Sequence, residues 1–250
     1  MKKGRLLNLI LPLITALCII GFWAIAAAVI SNEYILPTVT ETLSSTIALF
    51  SRAEFYLAFC FTLLRSVIAF IVSFLLAFVL AFLSEKVKHA DKVINPIISV
   101  IRALPTVAVV LLLLFWTNSL IAPIIVTTLV VMPTTYTQIK SALSALDKSV
   151  VEAARVDGAD EKAVFLDIEF PLISPSIYSA VGSGISLNFK LMVAAEVLSQ
   201  TANSIGYLLN TSKVYFEIAE MLALVLTAVI FGIIVESVFN KLSKSASEKQ

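Results

Sequence analysis

One charged segment interrupts an otherwise apolar chain and holds its most regularly spaced polar side chains. Residues 152–175 read EAARVDGADEKAVFLDIEFPLISP. Eight of these positions are charged, namely Glu152, Arg155, Asp157, Asp160, Glu161, Lys162, Asp167 and Glu169. Ser149 and Glu152 have the spacing of a capping box, in which two side chains satisfy free backbone N–H groups at a helix start. Gly158 suits the positive φ of a helix C-cap. We therefore predict a short helix from Ser149 to Gly158 and a second from the N-cap Asp160 to Glu169.

Two prolines and several apolar side chains indicate how this segment ends and whether it binds a partner. Pro171 and Pro175 are expected to end the second helix and lead into the next apolar stretch, because proline lacks a backbone N–H. A solvated loop with two capped helices is one interpretation. The other is a surface for a partner, since exposed apolar stripes commonly mark one. The residues of that stripe would be Val151, Ala154, Val164, Phe165 and Ile168.

Catalytic chemistry is not indicated anywhere in the chain. No Gly-x-x-x-x-Gly-Lys-Ser/Thr sequence is present, so the usual phosphate-binding loop for ATP hydrolysis is missing. His89 is the single histidine and lies in a charged loop, while Cys18 and Cys60 lie in apolar stretches without metal-ligand spacing. We predict a chain that is not an enzyme, with no catalytic residues, no metal and no bound cofactor. The cysteines are interpreted as small apolar packing residues.

The composition requires lipid as the main solvent. Hydrophobic residues make up 59% of the 250 residues and charged ones 14%, with a mean hydropathy of +0.99, whereas soluble domains average about 25% charged residues. A membrane-spanning helix needs about 20 apolar residues. We predict one all-helical integral membrane domain over residues 1–250, with a polar loop at 139–175 and no affinity for nucleic acid. Its six spans are 6–30, 57–83, 94–116, 119–138, 176–198 and 217–239.

Lysine and arginine fall mainly on one side of this arrangement. Of the 18 such residues, Arg65, Arg102 and Lys190 lie within spans, and Arg52 and Lys213 lie in outer segments, which leaves thirteen for the inner segments. Cytoplasmic loops hold the excess of Lys and Arg, so both termini and the loop 139–175 are predicted to be cytoplasmic. The basic start of the chain is similar to a secretory signal, but an apolar run of about 25 residues favours a retained anchor.

The charged segment resembles a motif of a known family. Glu152-Ala153-Ala154, three residues, Gly158, nine residues, Ile168, one residue and Phe170-Pro171 resemble the EAA loop of permease subunits of binding-protein-dependent ABC importers, with Phe170 where leucine is usual. Two other stretches are similar to the nitrate, sulfonate and taurine branch of these permeases. They are Arg102–Ala108, and Lys190–Glu196 followed by Asn203–Gly206.

This resemblance implies a type I ABC importer permease fold in a bacterial inner membrane. It implies that the loop is a coupling helix that docks on a cytoplasmic ATPase subunit, present in two copies that hold ATP and Mg²⁺. It also implies an extracytoplasmic solute-binding protein and a second permease copy, with a homodimer favoured over a heterodimer. The cargo would be a small polar or anionic solute, such as a sulfonate, nitrate or taurine, although heterocyclic vitamin precursors also occur in this branch. The coupling residues would be Glu152, Ala153, Ala154, Gly158, Ile168 and Pro171.

Charged side chains inside the spans are the candidates for contact with solute. Each costs about 2.5–3.5 kcal/mol near the centre of a span, so each needs a partner or a watery path. Our hypothesis places Lys190, Asn188, Ser186 and Glu196 along the translocation path, where Lys190 would favour an anion. In the alternatives, Lys190 pairs with Glu220 or another buried carboxylate, and Glu196 is a structural anchor or part of an outer gate.

The remaining polar and small residues of the spans are interpreted structurally. Arg65 and Arg102 lie nearer the span ends, where a long side chain can reach polar surroundings. Gly182-Ser183-Gly184, with Ala180 four residues before Gly184, is expected to let the fifth span pack closely on a neighbour.

Two other function classes are compatible with several spans. An ion-driven secondary carrier or channel would use intramembrane Glu and Lys residues as a relay and would need no ATPase. A membrane scaffold would transport nothing. Neither class explains the charged segment at 152–175. Uptake that stops on ATP depletion at a clamped membrane gradient would separate the ATP-driven importer from the carrier.

Overall fold

The computed structural model describes residues 2–248, with side chains at positions 11, 13–147 and 149–248. Every regular element in this part of the chain is helical, so the predicted all-helical membrane fold is confirmed. Five helices are long and apolar enough to cross a membrane, and α4 with α5 makes a sixth if counted as one bent span. The elements are α1 (Lys2–Ile30), α2 (Val39–Phe50), α3 (Ala53–Lys86), α4 (Ala90–Ala103), α5 (Thr106–Trp116), α6 (Ala122–Ser144), α7 (Lys148–Val156), α8 (Glu161–Ala163), a π-helical segment (Val164–Glu169), α9 (Phe170–Ser199), α10 (Ile205–Val214) and α11 (Ile218–Ser247).

α9 is the central helix of the bundle and packs on α3, α6 and α11. It runs antiparallel to α6, because Gln138 contacts Ser183 near one end of the pair (Nε2 to Oγ, 3.3 Å) and Val126 packs with Ala195 near the other. Below, the end of the bundle that holds α7 is called the loop end, and the end that holds α10 is called the far end.

Small residues let α9 approach its neighbours closely. A Cβ atom added to Gly182 would lie 2.5 Å from Cβ of Phe239 on α11, and one added to Gly184 would lie 2.8 Å from the Phe70 ring on α3. Larger residues would therefore force the helices apart. The close packing predicted for this stretch is confirmed, and it follows the general use of small residues where membrane helices meet.

The third predicted span, 94–116, is not one straight helix. α4 and α5 meet at 92°. Pro105 accounts for the break, because a proline disfavours the α conformation in the residue before it. Leu104 is accordingly extended, with φ −65° and ψ 128°, and Pro105 becomes the N-cap of α5. The break leaves Arg102 in the last turn of α4 instead of inside a continuous span.

Two short helices at the far end, α2 and α10, occupy segments that the sequence interpretation left as loops. Thr38 begins α2 in a full capping box with Glu41. Ser204 begins α10 by accepting a backbone N–H of its first turn at 2.9 Å. Both helices pack onto the ends of the spans, since Leu49 of α2 and Ile205 of α10 are buried in one apolar core.

α1 lies at the edge of the bundle. Only 6% of its apolar window Leu13–Ile30 is buried, and its specific attachment is a hydrogen bond from Trp23 Nε1 to the Pro37 carbonyl at 3.0 Å. An apolar helix is stable in this position because its surroundings are lipid. Cys18 of α1 and Cys60 of α3 are exposed, so they face outward, contrary to the expectation that they pack inside the chain.

One continuous helix joins the charged loop to the fifth span. It runs from Glu161 to Ser199 and passes through Pro171 and Pro175 without ending. The predicted end of a short helix at Glu169 is therefore wrong. Pro171 follows the π-helical segment and lies in the first turn of α9, where a proline costs little, and Pro175 lies inside α9 without ending it.

Candidate functional site

α7 is a short helix at the loop end, and its N-terminus is fixed by a side chain. The Asp147 carboxylate accepts hydrogen bonds from the hydroxyl of Ser149 at 2.7 Å and from its backbone N–H at 2.9 Å. Asp147 is thus the N-cap, and the predicted capping box at Ser149 is wrong because the helix begins earlier. The same bonds, the hydroxyl's first, lower the pKa of Asp147. The charged cap is therefore present above the ordinary aspartate pKa and is lost only as the pH falls through the lowered value.

Gly158 fixes the other end of α7. Its φ is +89°, and the N–H groups of Gly158 and Ala159 donate to the carbonyls of Arg155 at 3.1 Å and Ala154 at 3.0 Å. This is a Schellman motif, in which the left-handed residue is usually glycine. The predicted C-cap is confirmed. As predicted, Asp160 then begins the next helix, by accepting a backbone N–H of its first turn at 2.8 Å.

Apolar side chains hold α7 and the π-helical segment against the bundle. Val151 and Val164 are buried, and the Phe165 ring meets Phe82 of α3 edge-on, with centroids 5.5 Å apart. The expectation that these residues form an exposed stripe is therefore wrong, because they pack within the chain. Val156, with 87% of its surface exposed, is the most exposed apolar residue of α7.

Ion pairs around a cleft of about 270 Å³ connect α3, α7 and the long helix. Lys86 of α3 donates to Glu169, and Arg155 of α7 binds Glu161 through Nε at 2.8 Å. Glu169 is 2% exposed, and its second carboxylate oxygen has no hydrogen-bond partner among the described residues. The cleft is lined by Glu85, Lys86, Leu143, Leu146, Val151, Glu152, Arg155 and Glu169.

The predicted coupling residues fall on α7 and on the long helix Glu161–Ser199, which these contacts join. Four belong to α7 or its C-terminal end, one to the π-helical segment and one to the first turn of α9. Most of this set is exposed, and the helix that carries it is capped at both ends. α7 and the start of the long helix are therefore joined by an exposed ion pair and by apolar packing. Exposed members are Glu152, Ala153, Gly158 and Pro171, and half-buried members are Ala154 and Ile168.

A hydrogen-bonded cluster at the loop end ties α3, α4 and α6 together. Asp91 accepts from Ser84 at 2.6 Å, from Asn95 at 2.8 Å and from Lys140. The Tyr136 hydroxyl lies 2.8 Å from Asn95 Oδ1 and 3.0 Å from Ser84 Oγ. The sequence gives no advance signal for this cluster beyond the spacing of four between Asp91 and Asn95. It fixes the N-terminal half of α4.

Lys190 of α9 is the predicted pathway residue that lies on an exposed surface. It makes no ion pair or hydrogen bond with any residue that the structure describes. Glu220, considered above as its partner, instead binds Arg52 at 2.8 Å, so that pairing is wrong. The Lys190 stem crosses Gly232 of α11, where an added Cβ would lie 3.4 Å from Lys190 Cε.

Ser186 and Asn188, also predicted for the pathway, are buried between helices. Asn188 Nδ2 donates to the Ser66 carbonyl of α3 at 2.7 Å. Ser186 lies against α11, where a Cβ on Gly232 would come 3.0 Å from its hydroxyl. Ser186 thus lies near Lys190, as expected, but is buried beneath α11, whereas Asn188 contacts α3 instead. The reason for Asn188 is geometric, because residues two apart on a helix point to different sides.

Glu196, the fourth predicted pathway residue, is fully buried in a polar network between α3 and α9. It accepts from Arg65 Nε and from the Thr62 hydroxyl, each at 2.8 Å. Arg65 also donates to the Asn203 carbonyl at 3.1 Å, and Thr62 accepts the Ile205 N–H at 3.0 Å. The network joins α3, α9 and the start of α10. It favours the anchor alternative for Glu196.

These features define a class of protein: a type I ABC importer permease, with a helical bundle and a capped helix at the end of one long span. Residues 73–247 match the family described as the binding-protein-dependent transport system inner membrane component, and the chain belongs to this family. It is accordingly a multi-pass membrane protein and a permease component of an ABC transporter.

Distant relatives support the assignment over the whole chain. A probable ABC transporter permease protein of Brucella abortus (strain 2308) is 23% identical over 99% of this chain and 98% of its own length. A probable ABC transporter permease protein of Brucella melitensis biotype 1 is 22% identical over 94% of both chains.

Solved structures share the fold at low sequence identity. A bacterial ABC transporter involved in the import of alginate has a TM-score of 0.66 at 15% identity and covers 98% of this chain and 99% of its own. The MetNI methionine ABC transporter, in an inward-facing conformation, has a TM-score of 0.66 at 13% identity over 74% and 93%. An amino acid ABC transporter has a TM-score of 0.60 at 17% identity over 79% and 94%.

Proposed function

We propose that this chain forms the translocation pathway of an ATP-driven importer and that α7 receives the motion of a separate ATPase subunit. One observation carries this proposal. α7 is capped at both ends and is tied by Arg155 to Glu161, the first residue of the helix that continues to Ser199. A capped helix transmits displacement better than a flexible loop, and the exposed Glu152 and Gly158 leave a surface on which a partner can dock.

The proposed assembly follows from this role. Two cytoplasmic ATPase subunits, which hold ATP and Mg²⁺, dock at the loop end, and an extracytoplasmic solute-binding protein docks at the far end. A second permease copy, identical in the favoured arrangement, completes the pathway. The loop end and both termini are then cytoplasmic, in agreement with the excess of Lys and Arg on that side. A solved alginate transporter includes an alginate-bound periplasmic protein, which makes the corresponding partner here reasonable.

We assign a small anionic or strongly polar solute to the pathway, of the sulfonate, nitrate or taurine kind. The support is Lys190, an exposed cation in the fifth span without a carboxylate partner among the described residues, together with the sequence resemblance. If Lys190→Met assembles normally and transports with unchanged affinity and rate, Lys190 does not contact the solute.

Gly158 provides the test of coupling. The permease is co-purified with its ATPase and binding protein, and the bound solute is identified and used in proteoliposomes. Gly158→Arg should abolish ATPase association or solute-stimulated hydrolysis, because it strains a φ of +89° and adds bulk to the docking surface. Gly158→Asn is the matched control and should retain both, since asparagine tolerates this φ. Unchanged hydrolysis in Gly158→Arg would show that α7 does not couple.

The ion-driven carrier is tested separately. Uptake is measured with ATP depleted while the membrane gradient is clamped. Loss of uptake supports the ATP-driven importer, and sustained uptake supports the carrier. Glu196, one carboxylate that a proton relay could use, already accepts hydrogen bonds from Arg65 and Thr62.

A further inference from the structure

We propose that Arg102 and Lys190 together form an oxyanion-binding site on one face of the chain. The inference rests on the proposed transport function and deepens it, because it assigns a second cation and a chemical class of solute. The solute would carry a planar or tetrahedral oxyanion, and the two side chains would bind different oxygens of the same group.

The three cations that fall within the predicted spans differ sharply in their surroundings. Arg65 is 8% exposed and binds the buried carboxylate of Glu196, as expected of a structural arginine. Arg102 and Lys190 are exposed, and neither has a carboxylate within ion-pair distance in residues 2–248. An unpaired cation in lipid is costly. Both positions therefore require water or an anionic ligand.

The contacts place the two cations at similar depth. Arg102 Nη2 donates to Thr137 and to the Pro133 carbonyl of α6 at 3.3 Å. Gln138 of α6 is level with Ser183 of α9. With 1.5 Å per residue, Pro133 lies about 7.5 Å from Gln138 towards the far end, and Lys190 lies about 10.5 Å from Ser183 in the same direction. Along the bundle, Lys190 therefore lies about 3 Å beyond Pro133 and about 9 Å beyond Thr137, the two α6 residues that Arg102 contacts.

The surface between these cations and the loop end is polar, although it belongs to spans. Ser176, Ser179 and Ser183 recur at spacings of three and four along α9, exposed or half-buried, and Lys190 follows Ser183 by two turns. Gln138 of α6 is exposed beside Ser183. Polar groups facing lipid are unfavourable. This face is therefore suited to a watery path.

Arg102 has donors to spare for a ligand. Its contacts with Thr137 and Pro133 use Nη2, while Nε and Nη1 have no hydrogen-bond partner in the described chain. A guanidinium binds two oxygens of an oxyanion side by side, and an ammonium adds a compact point charge. The pair thus suits an oxyanion better than a neutral polar solute.

Cysteine labelling tests the pair without knowledge of the natural solute. Lys190→Cys is made in a chain with Cys18 and Cys60 replaced by alanine, and the reconstituted complex is treated with anionic and cationic methanethiosulfonates. Val72→Cys, on an exposed apolar surface of α3, is the control and should not react. With Arg102 present, Lys190→Cys should react faster with the anionic reagent.

Replacing Arg102 by glutamine should then lower the ratio of anionic to cationic rates by about sixfold. At a separation of about 8 Å, which two cations that bind the same oxyanion require, a unit charge changes the local concentration of each reagent about 2.4-fold at the permittivity of water, in opposite senses. No reaction at position 190 would show that water does not reach it. A ratio that is independent of Arg102 would show that the cations do not act on one ligand. Either outcome overturns the pair and leaves the coupling test at Gly158 unaffected.

Discussion

Replacement of Arg65 by leucine should be among the most damaging changes to the fold. It leaves the Glu196 carboxylate, which is 0% exposed, without its counter-charge and removes two hydrogen bonds, to Glu196 and to the Asn203 carbonyl. Hydrogen bonds between membrane helices are worth about 0.6 kcal/mol on average, so the two bonds alone would cost about 1 kcal/mol. A buried charge without its partner costs about 3–5 kcal/mol. The size of the effect therefore decides whether charge or hydrogen bonding governs this site.

The free energy of unfolding of the purified permease can be followed by circular dichroism during titration with sodium dodecyl sulfate in mixed micelles. Arg65→Leu should lower it by about 3–5 kcal/mol. The double variant with Glu196→Leu should recover much of this loss, because no isolated charge remains. Arg102→Leu is the matched control and should cost less than about 1.5 kcal/mol, since it breaks hydrogen bonds but no ion pair. A loss below about 1 kcal/mol in Arg65→Leu, or strictly additive losses in the double variant, would refute the reasoning.

Three further changes have defined outcomes. Gly206→Ala should lower the free energy of unfolding by about 1–3 kcal/mol in the same titration, because its Cβ would lie 2.5 Å from a backbone nitrogen of α9. Tyr136→Phe should cost about 0.5–1.5 kcal/mol, since it removes the hydroxyl's hydrogen bonds to Ser84 and Asn95, each of which keeps another partner. Asp147→Ala should speed backbone hydrogen exchange in α7, measured by mass spectrometry, because the helix loses its N-cap.

Each of these changes has a matched control. Gly21→Ala should be neutral or slightly stabilising, since nothing lies within 4 Å of its added Cβ. Tyr178→Phe should be neutral, because its hydroxyl has no hydrogen bond in the described chain. Asp147→Asn should keep the exchange protection of α7, since asparagine also caps. An equal effect in a change and its control would contradict the assigned cause.

Local signals in the sequence predicted part of the fold correctly. Apolar length identified the spans, and Gly158 and Asp160 marked a helix end and a helix start through their own backbone preferences. The capping box of Thr38 and Glu41 is also readable in the sequence, although α2 is too short to count as a membrane span. A helix cap can be predicted from the sequence because the residues that form it lie within one turn of each other.

Features that depend on distant contacts could not be predicted. Arg65 and Glu196 are 131 positions apart, so nothing local indicates that they pair. Pro105 lies at the break of the third span, whereas Pro171 lies in the first turn of the continuous helix α9, and the proline alone does not distinguish the two outcomes. The burial of Ser186 beneath α11 depends on such a contact as well, because Gly232 lies 46 positions away in the sequence.

The π-helical segment Val164–Glu169 also sets an angle. Successive residues of an α-helix are rotated by about 100° about its axis. Deleting one residue from this segment would turn everything beyond it, including Lys190, by about that angle relative to α7. The side of the bundle on which Lys190 stands thus depends on the winding of six residues that lie about twenty positions earlier, beside α7. The position of Lys190 relative to α7 therefore depends on the number of residues between them as well as on the residues at each end.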